Sequence, residues 1–239
     1  MSLSGKVCII LGGGQGLAER VARALAAARA TVFFACFDSD AAERMNEQLV
    51  NQGKQYQAVW TRPGSEQDIE RVIAEVWQCF GRIDLLVNCA AQCLVLPLEE
   101  TTVQDWDEVL GANLRSMFVS TKAVLDHMVR QNEGTIINVL SVPEPHEAGY
   151  MSAYFASQLG ALALTEAAAM ETRGTHIKVI ALCPGESPDL RFATINAGRD
   201  FLHVVDPEAI AMAAVKLAVG ETNFSDLNRD FEPVGLSSG

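Results

Sequence analysis

Short, almost wholly apolar runs alternate along this chain with longer stretches in which apolar residues return every three or four positions. The runs are VCIIL at 7–11, TVFFAC at 31–36, YQAVW at 56–60, IDLLVN at 83–88, GTIINVL at 134–140 and IKVIALC at 177–183. Runs this short that lack polar alternation read as strands buried on both faces. Helical periodicity spans 15–29, 40–52, 65–80, 102–130 with a break, and 152–172. Repeated strand–helix units bring successive strands parallel through crossovers, which predicts an α/β fold: a doubly wound parallel sheet with helices on both faces, in a single domain. Asp206-Pro207 opens one more helix, with a capping carboxylate and a proline in the first turn. Pro184-Gly185 ends the sixth run, and the segment that follows to Val205 is left unassigned. Within a single domain over 1–239, residues 220–239 read as an irregular tail whose only strand candidate, near Asp230 to Val234, contains a proline and must be an edge.

Charge and cysteine content narrow the function. With 18 basic against 30 acidic residues and a net charge of -12, the chain lacks the concentrated basic surface that nucleic acid or an anionic membrane requires, so neither is an expected partner. No apolar run reaches the length of a bilayer span, and MSLSGKVCIIL lacks the features of a signal peptide, so a cytoplasmic location is expected. Six cysteines lie mostly in or beside the apolar runs and read as reduced thiols. Cys89 and Cys93 have a ligand-like spacing, but no second pair or neighbouring histidine completes a set, and no metal is expected.

Two clusters carry candidate chemistry. VCIILGGGQGLAERVA places Gly12, Gly14, Gly16 and Leu17 between the first strand and the first helix, where backbone amides and a helix N-terminus can receive a phosphate. Ser141 precedes Tyr154 by thirteen residues, and Gln158 follows one helical turn later. In this order the motifs resemble those of the short-chain dehydrogenase/reductase family over roughly residues 3–219. The family's Thr-Gly-x-x-x-Gly-x-Gly loop appears with Gly12 and Gly16 kept, Leu11 for Thr and Ala18 for the last Gly. Its Asn-Asn-Ala-Gly segment appears as Asn88, Cys89, Ala90 and Ala91, and Pro184-Gly185 follows the sixth strand. The resemblance implies a Rossmann-like sheet. It implies NAD or NADP lying against Gly12, Gly14, Gly16, Leu17, Cys36, Asn88, Ala90, Pro184 and Gly185, and a catalytic set of Asn113, Ser141, Tyr154 and the residue at 158.

The departures fall on the positions that meet cofactor and substrate. A phenol titrates near 10, and the family's lysine, about 4 Å away at an effective dielectric near 20, contributes roughly 4 kcal/mol, about three pKa units, toward its phenolate. Gln158 supplies no charge. Cys36 stands where NAD-dependent members hold ribose hydroxyls with a carboxylate, Arg62 where an Asp usually contacts adenine, and Asp189 where a Thr meets the nicotinamide amide. Asp38 is either a substitute ribose ligand or a helix cap. His146 and Lys178 are the nearby cations that could replace the lysine, and Tyr150 is one turn from Tyr154 but has the wrong spacing from Ser141. The loop 141–150, with two prolines and two glutamates, is expected to border the pocket and repel anions. Conventional hydride transfer is therefore expected to be absent or strongly weakened. The alternatives are an active reductase with another proton relay and a non-redox enzyme reusing Ser141 and Tyr154. A small-molecule ligand is expected. By resemblance, so is a homo-dimer or homo-tetramer through the Ala-rich helix 152–172, or pairing with an active relative.

Overall fold

The computed structural model describes residues 2–14, 16–50, 55–141, 149–183, 201–203 and 207–220. Seven strands form one sheet in the order β3-β2-β1-β4-β5-β6-β7. They are β1 (Val7–Gly12), β2 (Thr31–Cys36), β3 (Tyr56–Trp60), β4 (Leu85–Cys89), β5 (Gly134–Val139), β6 (Ile177–Cys183) and β7 (Phe201–His203), and every pair is parallel.

Alternation along the strands sorts the core into two layers. Cys8, Ile10, Val32, Phe34, Leu85 and Val87 face α1 (Leu17–Ala27), α2 (Ser39–Val50) and α7 (Pro207–Ala218). Val7, Ile9, Leu11, Leu86 and Ile136 face α3 (Glu66–Phe80) and α5 (Ser116–Gln131), with Ala168 of α6 (Ser152–Glu171) closing the same side. Both faces are covered, as the unbroken apolar runs require. Strand order reverses between β1 and β4, which opens a crevice at the carboxyl ends of the strands where such sheets bind ligands.

The break expected in helix 102–130 is a five-residue π turn, Gly111–Arg115, between α4 (Val103–Leu110) and α5. Thr102 and Asp105 form a capping box that starts α4, and Asn132 at φ 55 ends α5. β7 lies in the segment that the sequence left unassigned up to Val205: three residues of strand pairing with β6 are too short to show a period. The strand candidate at 230–234 lies outside the described residues. None of the helices among the described residues is long and apolar enough to cross a membrane.

Candidate active site

The glycine turn is built by close approach. Gly12, in register between Cys36 and Cys89, has no room for a side chain, since a β-carbon there would sit 2.7 Å from that of Ala18. The extra methyl at Ala18 is thus accommodated against Gly12, buried at the start of α1. Gly14 has φ +83, and a β-carbon on it would lie 2.6 Å from both the Cys36 sulfur and the Ala41 β-carbon. Gly16, at φ 64, precedes Leu17, the first residue of α1.

Around Gly14, at the end expected from the resemblance to meet adenosine, side chains bond to neighbours within the protein. Cys36 is fully buried beneath Gly14 and its thiol donates to the Asp38 carbonyl at 3.0 Å. Burial pushes that thiol above its ordinary pKa. Of the two roles considered for Asp38, the structure shows the cap: its carboxylate accepts the Ala41 amide at 2.9 Å at the start of α2. Arg62 turns to α3, where its guanidinium meets Asp68 at 2.8 Å and holds that carboxyl down to about 2.

At the centre of the sheet, Asn88 is completely buried in a polar ladder. Its amide donates to Asn138 at 2.7 Å, Ser120 donates to its oxygen at 2.7 Å, and Asn138 donates on to Thr165 of α6 at 2.9 Å. The side chain offered as a cofactor contact is committed to tying α5, β4, β5 and α6 together. Ala90 is buried just past β4, and burial pushes the neighbouring Cys89 thiol up to about 12.

Asn113 sits in the π turn, a common site for functional irregularities in helices. Its side chain brackets Gln92, accepting the amide at 2.7 Å and donating to the carbonyl at 3.0 Å, and donates to Ser157 at 2.9 Å. Ser157 in turn donates to the Tyr154 carbonyl at 2.7 Å. Sequence reasoning missed Gln92 and Ser157, although the three-residue spacing of Ser157 from Tyr154 places both on one helix face.

Ser141, Tyr154 and Gln158 do converge. Gln158 is 2% exposed, and its Oε1 accepts the Ser141 backbone amide at 2.8 Å. Tyr154 is buried among Val109, Ala153, Leu94, Trp106 and Met151. Burial pushes its phenol above the ordinary value, a hydrogen bond with Ser141 pulls it back, and Cys93 adds to the rise. No cation figures among the described groups that shift it. Lys178 stands at the second position of β6, at the amino end of the strand and away from the crevice. Tyr150, 66% exposed at φ 63, accepts the Leu96 amide through its carbonyl at 2.7 Å. Pro184, Gly185, Asp189 and His146 lie outside the described residues, and no metal-ligand cluster occurs among the described ones.

The profile of the short chain dehydrogenases matches residues 6–188. The chain belongs to the short-chain dehydrogenase family. One family member, the 3-oxoacyl-[acyl-carrier-protein] reductase FabG of Thermotoga maritima, is 28% identical over 94% of each chain. Another, the short chain dehydrogenase/reductase astE of Aspergillus oryzae, is 31% identical over 91% of this chain and 89% of its own. Among solved structures, a metagenomic short-chain oxidoreductase in complex with NADP superposes with a TM-score of 0.79 at 25% identity, covering 91% of this chain and 92% of that one. By this descent the chain is a member of an oxidoreductase family.

Proposed function

We propose that this protein binds a small-molecule ligand in the crevice at the carboxyl ends of its strands and performs conventional NAD(P)-dependent hydride transfer weakly or not at all. The observation that carries this reading is Gln158. Its oxygen is spent on the Ser141 amide, while the Tyr154 phenol is buried with its pKa raised. A phenol held neutral can donate a hydrogen bond to a carbonyl, but it is a poor proton shuttle near neutral pH. Ser141 and Tyr154 then act as a pair of neutral hydroxyls that orient a ligand oxygen.

The nearest support for a nucleotide is the family glycine turn and the NADP carried by the similar metagenomic oxidoreductase. Against tight binding stands Cys36, whose buried thiol offers no carboxylate to ribose hydroxyls. Weak NAD or NADP binding is the expected outcome. Calorimetric titration with NADH and NADPH tests it. Micromolar affinity would overturn the cofactor half of the reading, and reduction of a carbonyl panel at family-like rates would overturn the catalytic half.

A second reading is an active reductase or dehydrogenase with another proton relay. It is favoured by the retained Ser141–Tyr154 hydrogen bond and by relatives named as reductases and dehydrogenases. Loss of a native redox activity in Tyr154→Phe would establish it. In either reading a second copy of the chain is the expected partner, through α6, where Ala163, Ala167 and Met170 line an exposed apolar edge. Sedimentation equilibrium with Ala167→Glu tests that contact.

A further inference from the structure

The β3–α3 loop and the π turn are far apart in sequence and meet in a close joint. Gly64, at φ +72, lies against Gly111 so tightly that a β-carbon on it would meet the Gly111 carbonyl carbon and oxygen at 3.0 Å. Between them stands Ser116. Its hydroxyl donates to the Gly111 carbonyl at 3.0 Å and accepts the Gly64 amide at 2.8 Å. Its own amide reaches back to Gly111 across the π turn. One buried side chain therefore satisfies groups on both sides of the joint.

Each side leads to a different end of the crevice. The loop side continues from Gly64 to Arg62, which is clamped to Asp68, and to Thr61, whose amide and hydroxyl bond the Cys36 carbonyl at 2.8 and 3.3 Å. That is the edge beneath Gly14. The π-turn side continues from Gly111 to Asn113, then to Gln92, and through Ser157 to the Tyr154 carbonyl. We infer that Ser116 is a positioning residue that couples the glycine-turn end of the crevice to the Tyr154 end. Pressure on the loop from anything lying across β1, β2 and β3 reaches the Asn113 bracket through this hydroxyl. The inference takes from the proposed function only that the crevice is the ligand site.

Two variants test it without any cofactor. Ser116→Ala removes the hydroxyl, and Gly64→Ala keeps it but forces the loop off the π turn. In both, the Gly64-side loop and the Gln92 amide, followed by hydrogen exchange, should lose protection together by roughly tenfold or more, the equivalent of one hydrogen bond. β1 amides should keep parent rates. The Tyr154 phenol, followed by NMR of ring-labelled tyrosine, should titrate lower in each variant as its packing loosens. Ser116→Thr, which keeps a hydroxyl, should restore the Gln92 protection and the Tyr154 titration. Faster exchange confined to the loop, with Gln92 and Tyr154 as in the parent, would overturn the coupling. So would a Gly64→Ala protein with unchanged Gln92 protection, and that variant decides the matter if Ser116→Ala does not fold. Micromolar binding of NADH or NADPH would overturn the cofactor half of the proposed function and leave these readouts intact.

Discussion

Replacing Gln158 by lysine sets two effects of similar size against each other. The gain is electrostatic: an ammonium about 4 Å from the Tyr154 oxygen at an effective dielectric near 20 favours the phenolate by roughly 4 kcal/mol, about three pKa units. The loss is structural. Gln158 accepts the Ser141 amide at 2.8 Å in a site where it is 2% exposed. Lysine carries three donors and no acceptor, so the amide loses its partner and faces another donor, at a cost of about 1–3 kcal/mol. Burying the ammonium adds to that cost. The phenol starts above its ordinary value, so even the full shift brings it only toward neutrality. Gln158→Lys should therefore lower the Tyr154 pKa by up to about three units in ultraviolet difference titration and reduce stability by about 1–3 kcal/mol in urea unfolding. It should not produce robust carbonyl reduction, because Cys36 remains buried below Gly14. An unmoved Tyr154 titration would overturn the electrostatic account. Robust turnover from this single change would show an intact cofactor site and overturn the functional reading.

Other outcomes follow from the same contacts. Gly14→Ala places a methyl at φ +83 within 2.6 Å of Cys36 and Ala41 and should cost roughly 1–3 kcal/mol or more, read by thermal melting; Cys36→Ala should recover part of it. Asp84, 4% exposed in its side chain, binds Lys6 at 3.0 Å and the Val7 amide at 2.8 Å and is paired with Arg82, so Asp84→Asn should cost about 3 kcal/mol in urea unfolding. Burial raises the Asp84 pKa, but Arg82, the Val7 amide and Lys6 outweigh it and leave the carboxyl below its ordinary value. Its stabilisation is full above the unfolded pKa near 3.9 and is lost as pH falls through the lower folded value, a loss Asp84→Asn should not show. His127 stacks on Trp77 with centroids 4.3 Å apart, its Nδ1 is buried without a partner, and burial lowers its pKa. The folded state thus favours neutral imidazole, so stability should be full above about 6.5 and decline on acidification through the folded value; His127→Phe should flatten that decline in pH-dependent melts.

The sheet was legible because its central strands are buried on both faces and carry apolar runs, and even the edge strand β3, with Gln57 and Trp60 exposed, keeps a short apolar pattern; boundaries moved by only a residue or two where β1 took in Gly12 and β4 gave up Ile83. β7 was not, since three residues carry no period. The convergence of Ser141, Tyr154 and Gln158 was legible from their spacing, and so was one of the two roles weighed for Asp38, that of a cap. What sequence could not show is where a side chain spends its hydrogen bonds. Arg62 finds Asp68 six residues on, Gln158 reaches Ser141 seventeen residues back, and Ser116 meets Gly64 fifty-two residues away. Each pairing is made by the packing of separate elements, and spacing alone does not determine it.

Those pairings change the weight that a retained residue carries. Asn113 matches a family catalytic position, and its retention reads at first as a sign of activity. Yet its side chain already holds Gln92 by both backbone groups and donates to the buried Ser157 hydroxyl, so replacing it would remove these three hydrogen bonds whether or not any chemistry occurs. Asn88 is held in place by the same logic, through Asn138 and Ser120. Both residues thus have a structural reason to be kept, apart from any chemistry. Tyr154 is different at its hydroxyl, because a phenylalanine would fill the same apolar surroundings of Val109, Ala153 and Trp106. Keeping that hydroxyl and its bond to Ser141, inside a pocket where burial makes ionisation costly, has no comparable packing reason. On the proposed reading the pair meets a ligand oxygen that accepts a hydrogen bond, and the amide at 158 supplies none of the charge that would favour proton transfer.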